Sequence, residues 1–401
     1  MSKLQPVRGT HDLLPDEFAR FKAVQDVARE ITGRYGFREM ATPIFEFTEV
    51  FARTMGETSD VVTKEMYTFN DRGNESITLR PEFTAGVVRS LLSNSLTQDL
   101  PQKLFSTGPV FRYERPQKGR QRQFHQLNVE HIGAKGAVDD VEIIAMAAEL
   151  LAQLGVKAEL QINSLGDAAT RANYHAALVK YFAGHKASLS EDSKLRLEKN
   201  PMRILDSKDE GDRKIIADAP KFSEHFSEAA EVYFETVKDG LTSLGLIFEQ
   251  NEKLVRGLDY YNHTVFEFVS GDLGAQNTVL AGGRYDGLVA HMGGPEIPAV
   301  GWGAGLERLL LLSDLKIEKA KTICVIAGGD ELKIAALEIA QKLRVAGKTV
   351  EIAAQTNIGK ALKFANKIGA VEAYILGESE IAKGVVQVKD LVSGEQKEEK
   401  I

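Results

Sequence analysis

A chain of 401 residues, 43% hydrophobic and 27% charged, has ordinary globular composition and is long for one core, which predicts two or three domains. Its net charge of -7 excludes a general polyanion binder and leaves any nucleic-acid contact to a local basic face. A single cysteine, Cys324, excludes a disulfide framework and a thiolate metal cluster, and without a bilayer-spanning apolar run or a secretory signal in MSKLQPVRGTHDLLPDE the expected protein is cytoplasmic, with no membrane contact.

The first helix is predicted over 15–34. Pro15 suits the first helical position, Asp16 and Glu17 follow it, and Phe18, Phe21, Val24, Ala28 and Ile31 recur at helical spacing. The run at 37–50 reads as a strand, and its Pro43 assigns it to an edge or an interface. A second helix is predicted over 139–154, opened by Asp139 or Asp140, carried by Val141, Ile144, Ala148 and Leu151, and ended by Gly155. Short alternating segments with hairpin spacing lie between the two helices, so the expected sheet is mainly antiparallel and flanked by helices.

From 166 to 250 the sequence is charged and helix-rich. ATRANYHAALVKYFAGH and SEAAEVYFETVKDGLTSLGL read as two helices of a small inserted domain. Strand patterning returns at 254–269 and 278–281. After a polar joint at 316–321 the chain becomes simple α/β: strand 322–327, helix 331–346, strand 348–353, helix 359–368, then strands 371–376 and 384–389, a separate C-terminal domain.

Residues 111–130, FRYERPQKGRQRQFHQLNVE, join two alternating runs by a loop in which Arg112, Arg115, Lys118, Arg120 and Arg122 face one anion, Glu114. Alternation puts Phe124, Gln126, Asn128 and Glu130 on one strand face, and His125, Leu127, Val129 and His131 on the other. Two readings stay open: a site for phosphate and a polar small molecule together, or an exposed hairpin with a basic tip. In LRPEFTAG (79–86), Arg80, Glu82 and Thr84 share a face if the chain is extended, and carboxylate with hydroxyl suits an ammonium group. A surface turn before a helix explains the same residues. LVRGLDYYNHTVFEF (254–268) sets Arg256, Tyr260 and Tyr261 beside Gly257, either a ligand site or an amphipathic strand with core aromatics.

AGGRYDGL (281–288) carries Arg284 and Tyr285, and GWGAGLERLLLL (301–312) runs from glycines into an apolar helix with Glu307 and Arg308 near its start. Neither has the βαβ context and later acid of a dinucleotide fold, and no P-loop is present. The eight histidines are scattered without metal-ligand spacing, and DSKDEGD (206–212) lacks the alternate ligands of a calcium loop, so no protein-held metal is expected. Lys360, Lys363 and Lys367 share one face of the helix at 359–368, opposite Leu362, Ala365 and Ile368. That row suits a nucleic-acid backbone or simple solvation.

In order and wording these segments resemble the histidyl-tRNA synthetases, a family of class II aminoacyl-tRNA synthetases, along nearly the full length. Residues 37–50, 105–132 and 299–312 resemble the three class II motifs, and LVRGLDYYNHTVFEF and AGGRYDGL the two motifs particular to the histidine enzymes. The resemblance implies an α+β multidomain protein. Its class II antiparallel sheet is flanked by helices and contributed by a catalytic domain in two parts (1–165 and 251–317). A helical insertion (166–250) and a C-terminal α/β anticodon-binding domain (321–401) complete it.

The resemblance also implies histidine–tRNA ligase activity, with ATP, Mg²⁺, L-histidine and tRNA(His) as reactants or partners, and a homodimer. Arg112 would meet the ATP α-phosphate, Arg308 the γ-phosphate end, and Arg256 the substrate carboxylate and α-phosphate. Glu82, Thr84 and Gln126 would hold the amino group. Glu130, Tyr261 and Tyr285 would read the imidazole, with Tyr260 in the same site. Arg115, Arg120 and Arg122 would approach the acceptor end of the tRNA, and Lys360 and Lys363 its backbone elsewhere. One departure is that the chain stops at GEQKEEKI, where family members usually continue into another helix. The rival implied by the same resemblance is the non-catalytic histidine-sensing regulatory subunit of ATP phosphoribosyltransferase.

Overall fold

The computed structural model describes residues 4–55, 64–117, 119–255, 260–273, 277–317 and 321–400. The proline and two acids at the start of the first helix act as expected: α1 runs Pro15–Arg34 and buries Phe21, Val24, Ala28 and Ile31 along one stripe. The run at 37–50 is not one strand. Within it lie β1 (Arg38–Glu39), β2 (Phe45–Phe47) and the start of α2 (Thr48–Met55), and β1 and β2 belong to different sheets. Pro43 falls in the gap between the strands, where the missing N–H breaks no ladder.

β3 (Tyr67–Asn70) and β4 (Ser76–Leu79) complete a small antiparallel sheet in the order β2-β4-β3. After α3 (Thr84–Ser93) come β5 (Gln102–Phe111) and β6 (Gln123–Ile132), a ten-residue antiparallel pair. The next helix, α4 (Ala137–Gln153), starts two residues before Asp139. Its cap is Gly136, whose N–H donates to the Asp139 carboxylate at 2.9 Å, while Asp140 turns inward. There follow β7 (Glu159–Ser164), α5 (Ala168–Gly184), α6 (Glu191–Lys199), α7 (Glu210–Ile216), α8 (Glu228–Ser243), β8 (Phe248–Gln250), β9 (Asn262–Val269), β10 (Thr278–Arg284), α9 (Leu288–His291), β11 (Ala299–Gly305) and α10 (Leu306–Leu312).

The main sheet has eight strands in the order β1-β5-β6-β11-β10-β9-β7-β8, parallel only at its two outermost pairs. Alternation decides what each face carries. Leu127 and Val129 of β6, with Val300, Trp302 and Ala304 of β11, pack into the core under α1, α4 and α8. The intervening residues of β6 and β11 therefore point to the other face, which carries the site. Between 166 and 250, α5 to α7 enclose a small core of Tyr174, Leu178, Phe182, Ile204 and Phe222. In the same stretch, α8 sends Phe234, Val237 and Leu241 into the main core, and β8 pairs with β7.

Contacts divide the chain between Leu315 and Lys316. The C-terminal unit comprises β12 (Thr322–Ala327), α11 (Lys333–Val345), β13 (Thr349–Ile352), α12 (Ile358–Lys367), β14 (Glu372–Leu376), α13 (Glu378–Lys383), β15 (Val385–Asp390) and β16 (Gln396–Lys400). Its sheet order is β13-β12-β14-β15-β16, parallel around β12 and antiparallel beyond β14. Neither α13 nor β16 is foreseen from sequence. QKEEK of β16 has no apolar alternation to reveal it; backbone pairing carries this edge strand, and its lysines and glutamates suit an unpaired outer edge.

Candidate active site

The polar face of β6 opens onto a cavity of about 290 Å³. Its floor follows from the register of β11: Gly301, Gly303 and Gly305 lie opposite Glu130, Asn128 and Gln126. A side chain there would fill the site, since a Cβ on Gly301 would sit 2.1 Å from the Glu130 carboxylate. The glycines of GWGAG therefore clear a floor beside three polar side chains, and Gly305 leads into α10 with Arg308.

One end of the cavity is built of carboxylates and phenols. LRPEFTAG is not extended throughout: β4 ends at Leu79, α3 begins at Thr84, and the intervening turn is buried. Arg80 leaves the expected trio. Its Nε donates to the Pro109 carbonyl and its Nη1 to the Thr42 carbonyl, both at 2.8 Å, which ties the turn to neighbouring chain. Glu82 accepts from the Thr84 and Ala85 N–H groups at 2.5 and 2.8 Å, serving the first turn of α3. Burial raises its carboxyl, while these bonds and Arg112 oppose the shift.

Glu130 is buried beneath three donors: the Thr84 hydroxyl, the Asn128 amide at 3.0 Å and the Tyr285 hydroxyl. Burial nevertheless pushes its carboxyl up to about 8, against the pull of those donors. The Thr84 hydroxyl thus donates to Glu130 here and keeps only its acceptor lone pairs for a substrate amino group. The rings of Tyr260, Tyr261 and Tyr285 cluster, with centroids 4.5 Å apart for Tyr260–Tyr261 and 5.5 Å for Tyr260–Tyr285. Two buried carbonyl oxygens, Gln126 Oε1 and Asn128 Oδ1, have no protein partner among the described residues. Unpaired acceptors beside two carboxylates ask for a ligand rich in N–H groups.

The other end is built of arginines. Arg112 donates from Nε to the Pro81 carbonyl at 2.9 Å, and its guanidinium lies 5.5 Å from the Phe124 ring centre. Arg308 donates to the carbonyls of Gly119, at 3.2 Å, and Thr278. Burial lowers its pKa, and the cations of Arg120 and Arg112 lower it further. Such a desolvated cation cluster is relieved by an anion. Arg120 lines this end and pairs with Glu114, whereas Arg122 lies against Tyr113, 3.9 Å from its ring centre. Arg115 is exposed. Arg256 and Lys118 lie outside the described residues. On α12, Lys360, Lys363 and Lys367 are exposed while Ala361 and Ala365 are buried.

Two contacts escape sequence reasoning. The Glu307 carboxylate accepts the His125 backbone N–H and meets Nδ1 of the same residue, each at 2.9 Å, so α10 is pinned to β6. Arg284 of the glycine-rich AGGRYDGL turns into the fold. It is fully buried, with Nη2 2.6 Å from Asp140 and Nη1 3.0 Å from Asp286. His125 lies 182 residues from Glu307 and Asp140 lies 144 from Arg284, and no local spacing points to either pair.

Residues 9–309 match the family model described as histidyl-tRNA synthetase, and residues 322–401 match one described as an anticodon binding domain. The chain is 55% identical over 399 residues to a histidine–tRNA ligase of Rhodospirillum rubrum, covering 99% of this chain and 96% of that protein. With a histidine–tRNA ligase of Gluconobacter oxydans it shares 53% over 400 residues, with the same two coverages. Among solved structures, apo histidyl-tRNA synthetase of S. aureus superposes with a TM-score of 0.86 at 34% identity, over 99% of this chain and 97% of that one. An ATP phosphoribosyltransferase regulatory subunit/histidyl-tRNA synthetase from Bacillus halodurans shares the fold, at 22% identity and a TM-score of 0.64, over 92% of this chain and 97% of that one. Identity above one half across almost the whole length, together with the match from residue 9 to residue 309, leaves one conclusion: the chain belongs to the histidyl-tRNA synthetase family.

Proposed function

We propose that this chain activates L-histidine with ATP, releasing pyrophosphate, and then passes histidine from the adenylate to the 3′ end of tRNA(His). The observation that carries this reading is the pairing, in one cavity, of a carboxylate–phenol end with a desolvated arginine end. Activation brings a carboxylate to the α-phosphate of ATP, so positive charge must be in place before two anions meet. A carboxylate oxygen of histidine attacks the α-phosphorus, the bond to the bridging oxygen breaks, and pyrophosphate leaves with the electron pair. No protein nucleophile is needed, and positioning is most of the task.

In this reading Arg112 holds the α-phosphate and Arg308 the γ-phosphate end. Arg256 is assigned to the histidine carboxylate and the α-phosphate, stabilising charge as the two react. Glu82, the unpaired oxygen of Gln126 and the lone pairs of Thr84 receive the amino group. Glu130, Tyr261 and Tyr285 read the imidazole, and Tyr260 packs behind them. A ligand lacking those N–H groups would leave Glu130 and the two buried carbonyls unanswered, which is where selectivity arises.

Magnesium would enter with ATP. Among the described residues no three His, Cys, Asp or Glu side chains gather to hold a metal, while Glu114 and Glu307 line the arginine end. Mg²⁺ suits one or two carboxylates together with phosphate oxygens and waters, and would supply charge neutralisation on the phosphates. Residues 1–165 and 251–317 form the catalytic part in this reading, 166–250 an insertion, and 321–401 the anticodon reader. Arg115, Arg120 and Arg122 approach the acceptor end, and Lys360 and Lys363 the tRNA backbone. We place the enzyme in the cytoplasm with the substrates of translation. Among the described residues no helix is long and apolar enough to cross a membrane. A homodimer would cover the exposed Ile44, Phe45, Phe47 and Phe69, and sedimentation at two concentrations tests it.

The deciding experiment is histidine-dependent exchange of labelled pyrophosphate into ATP by the full chain with Mg²⁺. Exchange is expected with histidine alone among the amino acids. Its absence would leave a protein that binds histidine without activating it.

A further inference from the structure

The residues that follow the two tyrosine positions are neither bound to a ligand in the proposed reading nor lining the cavity. Asn262 comes directly after Tyr261, and Asp286 directly after Tyr285. β9 begins at Asn262 and β10 ends at Arg284, where the two strands pair for the last time after a register shift. Past that point the ladder cannot hold Tyr261 to Tyr285: the Tyr285 N–H has gone to Ala299 of β11, at 2.7 Å.

Side chains take over the task. The Asn262 amide nitrogen donates to Asp286 Oδ2 at 3.1 Å, and the Asp286 backbone N–H donates to Asn262 Oδ1, also at 3.1 Å. Both ends of one amide are thereby engaged by one residue. The other Asp286 oxygen accepts from Arg284 Nη1 at 3.0 Å and from the Ala299 N–H at 3.2 Å. Arg284 is anchored in turn by the buried Asp140 and the Ala134 carbonyl. The chain of bonds runs from the start of α4 to the residue beside Tyr261 and joins parts of the sheet that the ladder leaves loose.

We propose that Asn262 and Asp286 form a clasp that sets the spacing of Tyr261 from Tyr285, and that they are positioning residues for histidine selectivity. The inference rests on the reading above, in which those tyrosines face the imidazole. Their ring centroids stand 6.4 Å apart in edge-on geometry, and a polar network helps only when its geometry is held closely. Among the described residues the arginines of the ATP end, Arg112 and Arg120 between β5 and β6 and Arg308 on α10, share no hydrogen bond with the clasp.

The two-point geometry gives a test by exchange of partners. Asn262→Asp removes the donor and sets two carboxylates face to face, while Asp286→Asn in the same chain restores a donor opposite an acceptor. In pyrophosphate exchange by the full chain, Asn262→Asp is expected to raise KM for histidine about tenfold, with KM for ATP within about twofold of wild type. The double variant is expected to return to within about threefold of wild type. A general loss of structure would raise both KM values together and would not be rescued; either result, in variants that melt cooperatively, overturns the clasp. Should Asn262→Asp not fold, Asn262→Ala carries the same KM split. If the wild-type chain shows no exchange, the functional reading falls first. The clasp is then judged by the histidine-induced rise in melting temperature, which needs no turnover. An equal rise in wild type and variant would overturn it.

Discussion

The carboxylates and the arginines of the cavity share one sheet face, yet they carry their charges in opposite ways. Glu130 lies beneath three donors, and burial still moves its carboxyl up to about 8. Arg112 is oriented by one carbonyl group and Arg308 by two, and burial together with the neighbouring cations Arg120 and Arg112 pushes the Arg308 pKa down. The first end is preorganised and nearly complete within the protein. The second is left short of negative charge. A site built this way favours a ligand with N–H groups at one end and several negative charges at the other, which is the composition of histidine with ATP.

The largest expected effect removes a charge from the incomplete end. Arg112→Ala should lower pyrophosphate exchange on the order of 10²- to 10³-fold, because the lost interaction strengthens as charge gathers at the α-phosphate. Melting temperature should change little, since Arg112 gives the fold one bond to Pro81. A variant with normal exchange would show that the arginine end is not where ATP reacts.

At the complete end, Glu130→Gln should raise KM for histidine about 10- to 100-fold while sparing KM for ATP. It should also alter stability with a defined sign. Folded Glu130 keeps its proton to about pH 8, against an ordinary value of 4.5, so the folded state binds more protons between those limits. The contribution of Glu130 to stability therefore falls as pH rises through that window, and Glu130→Gln removes it. Melting curves at intervals from pH 4.5 to 8 should show wild type losing ground to the variant. Parallel curves would mean that the donors around Glu130 already hold it ionised.

A smaller effect separates arginines inside the cavity from those on its loop. Arg122 lies against Tyr113 and donates to the Glu114 carbonyl, away from the Arg112–Arg308 cluster. Arg122→Ala should leave exchange within about twofold and weaken charging of tRNA several-fold, as expected for a contact to the nucleic acid alone. Equal losses in both assays would move Arg122 into the small-molecule site.

Elements with strong local signals are legible in the amino-acid sequence. The proline–acid start of α1, the alternation of β6 and the α/β rhythm after 321 all match what folds. Arginine roles are not legible. Arg80, Arg284 and Arg308 each sit in a glycine- or proline-marked segment and each donates to carbonyls of the fold, but of the three Arg308 alone lines the cavity. The partners that orient them, Pro109 for Arg80, Asp140 for Arg284 and Gly119 for Arg308, lie far along the chain and leave no mark in the spacing. The same holds for Glu307 with His125, and for Asn262 with Asp286. The strand at Gln396–Lys400 is hidden for another reason: backbone bonding at a sheet edge asks for no apolar side chain.

The smallest expected effect lies outside the cavity, on the exposed lysine row of α12, and contrasts a solvated cationic face with the desolvated arginines. Lys360 and Lys363 are exposed, and neither belongs to the small core formed by Ala361, Ala365 and their neighbours. Removing both charges should therefore cost no stability and leave pyrophosphate exchange unchanged. If the row meets a tRNA backbone, each lysine releases counterions on binding, so Lys360→Ala with Lys363→Ala should flatten the dependence of log affinity on log salt by roughly one to two units. Arg112→Ala, by contrast, should leave that salt slope intact, because its target is buried ATP and not an exposed phosphate chain. A double lysine variant with an unchanged salt slope would return the row to simple solvation, and would leave charge in this protein doing its chemistry only where water has been removed.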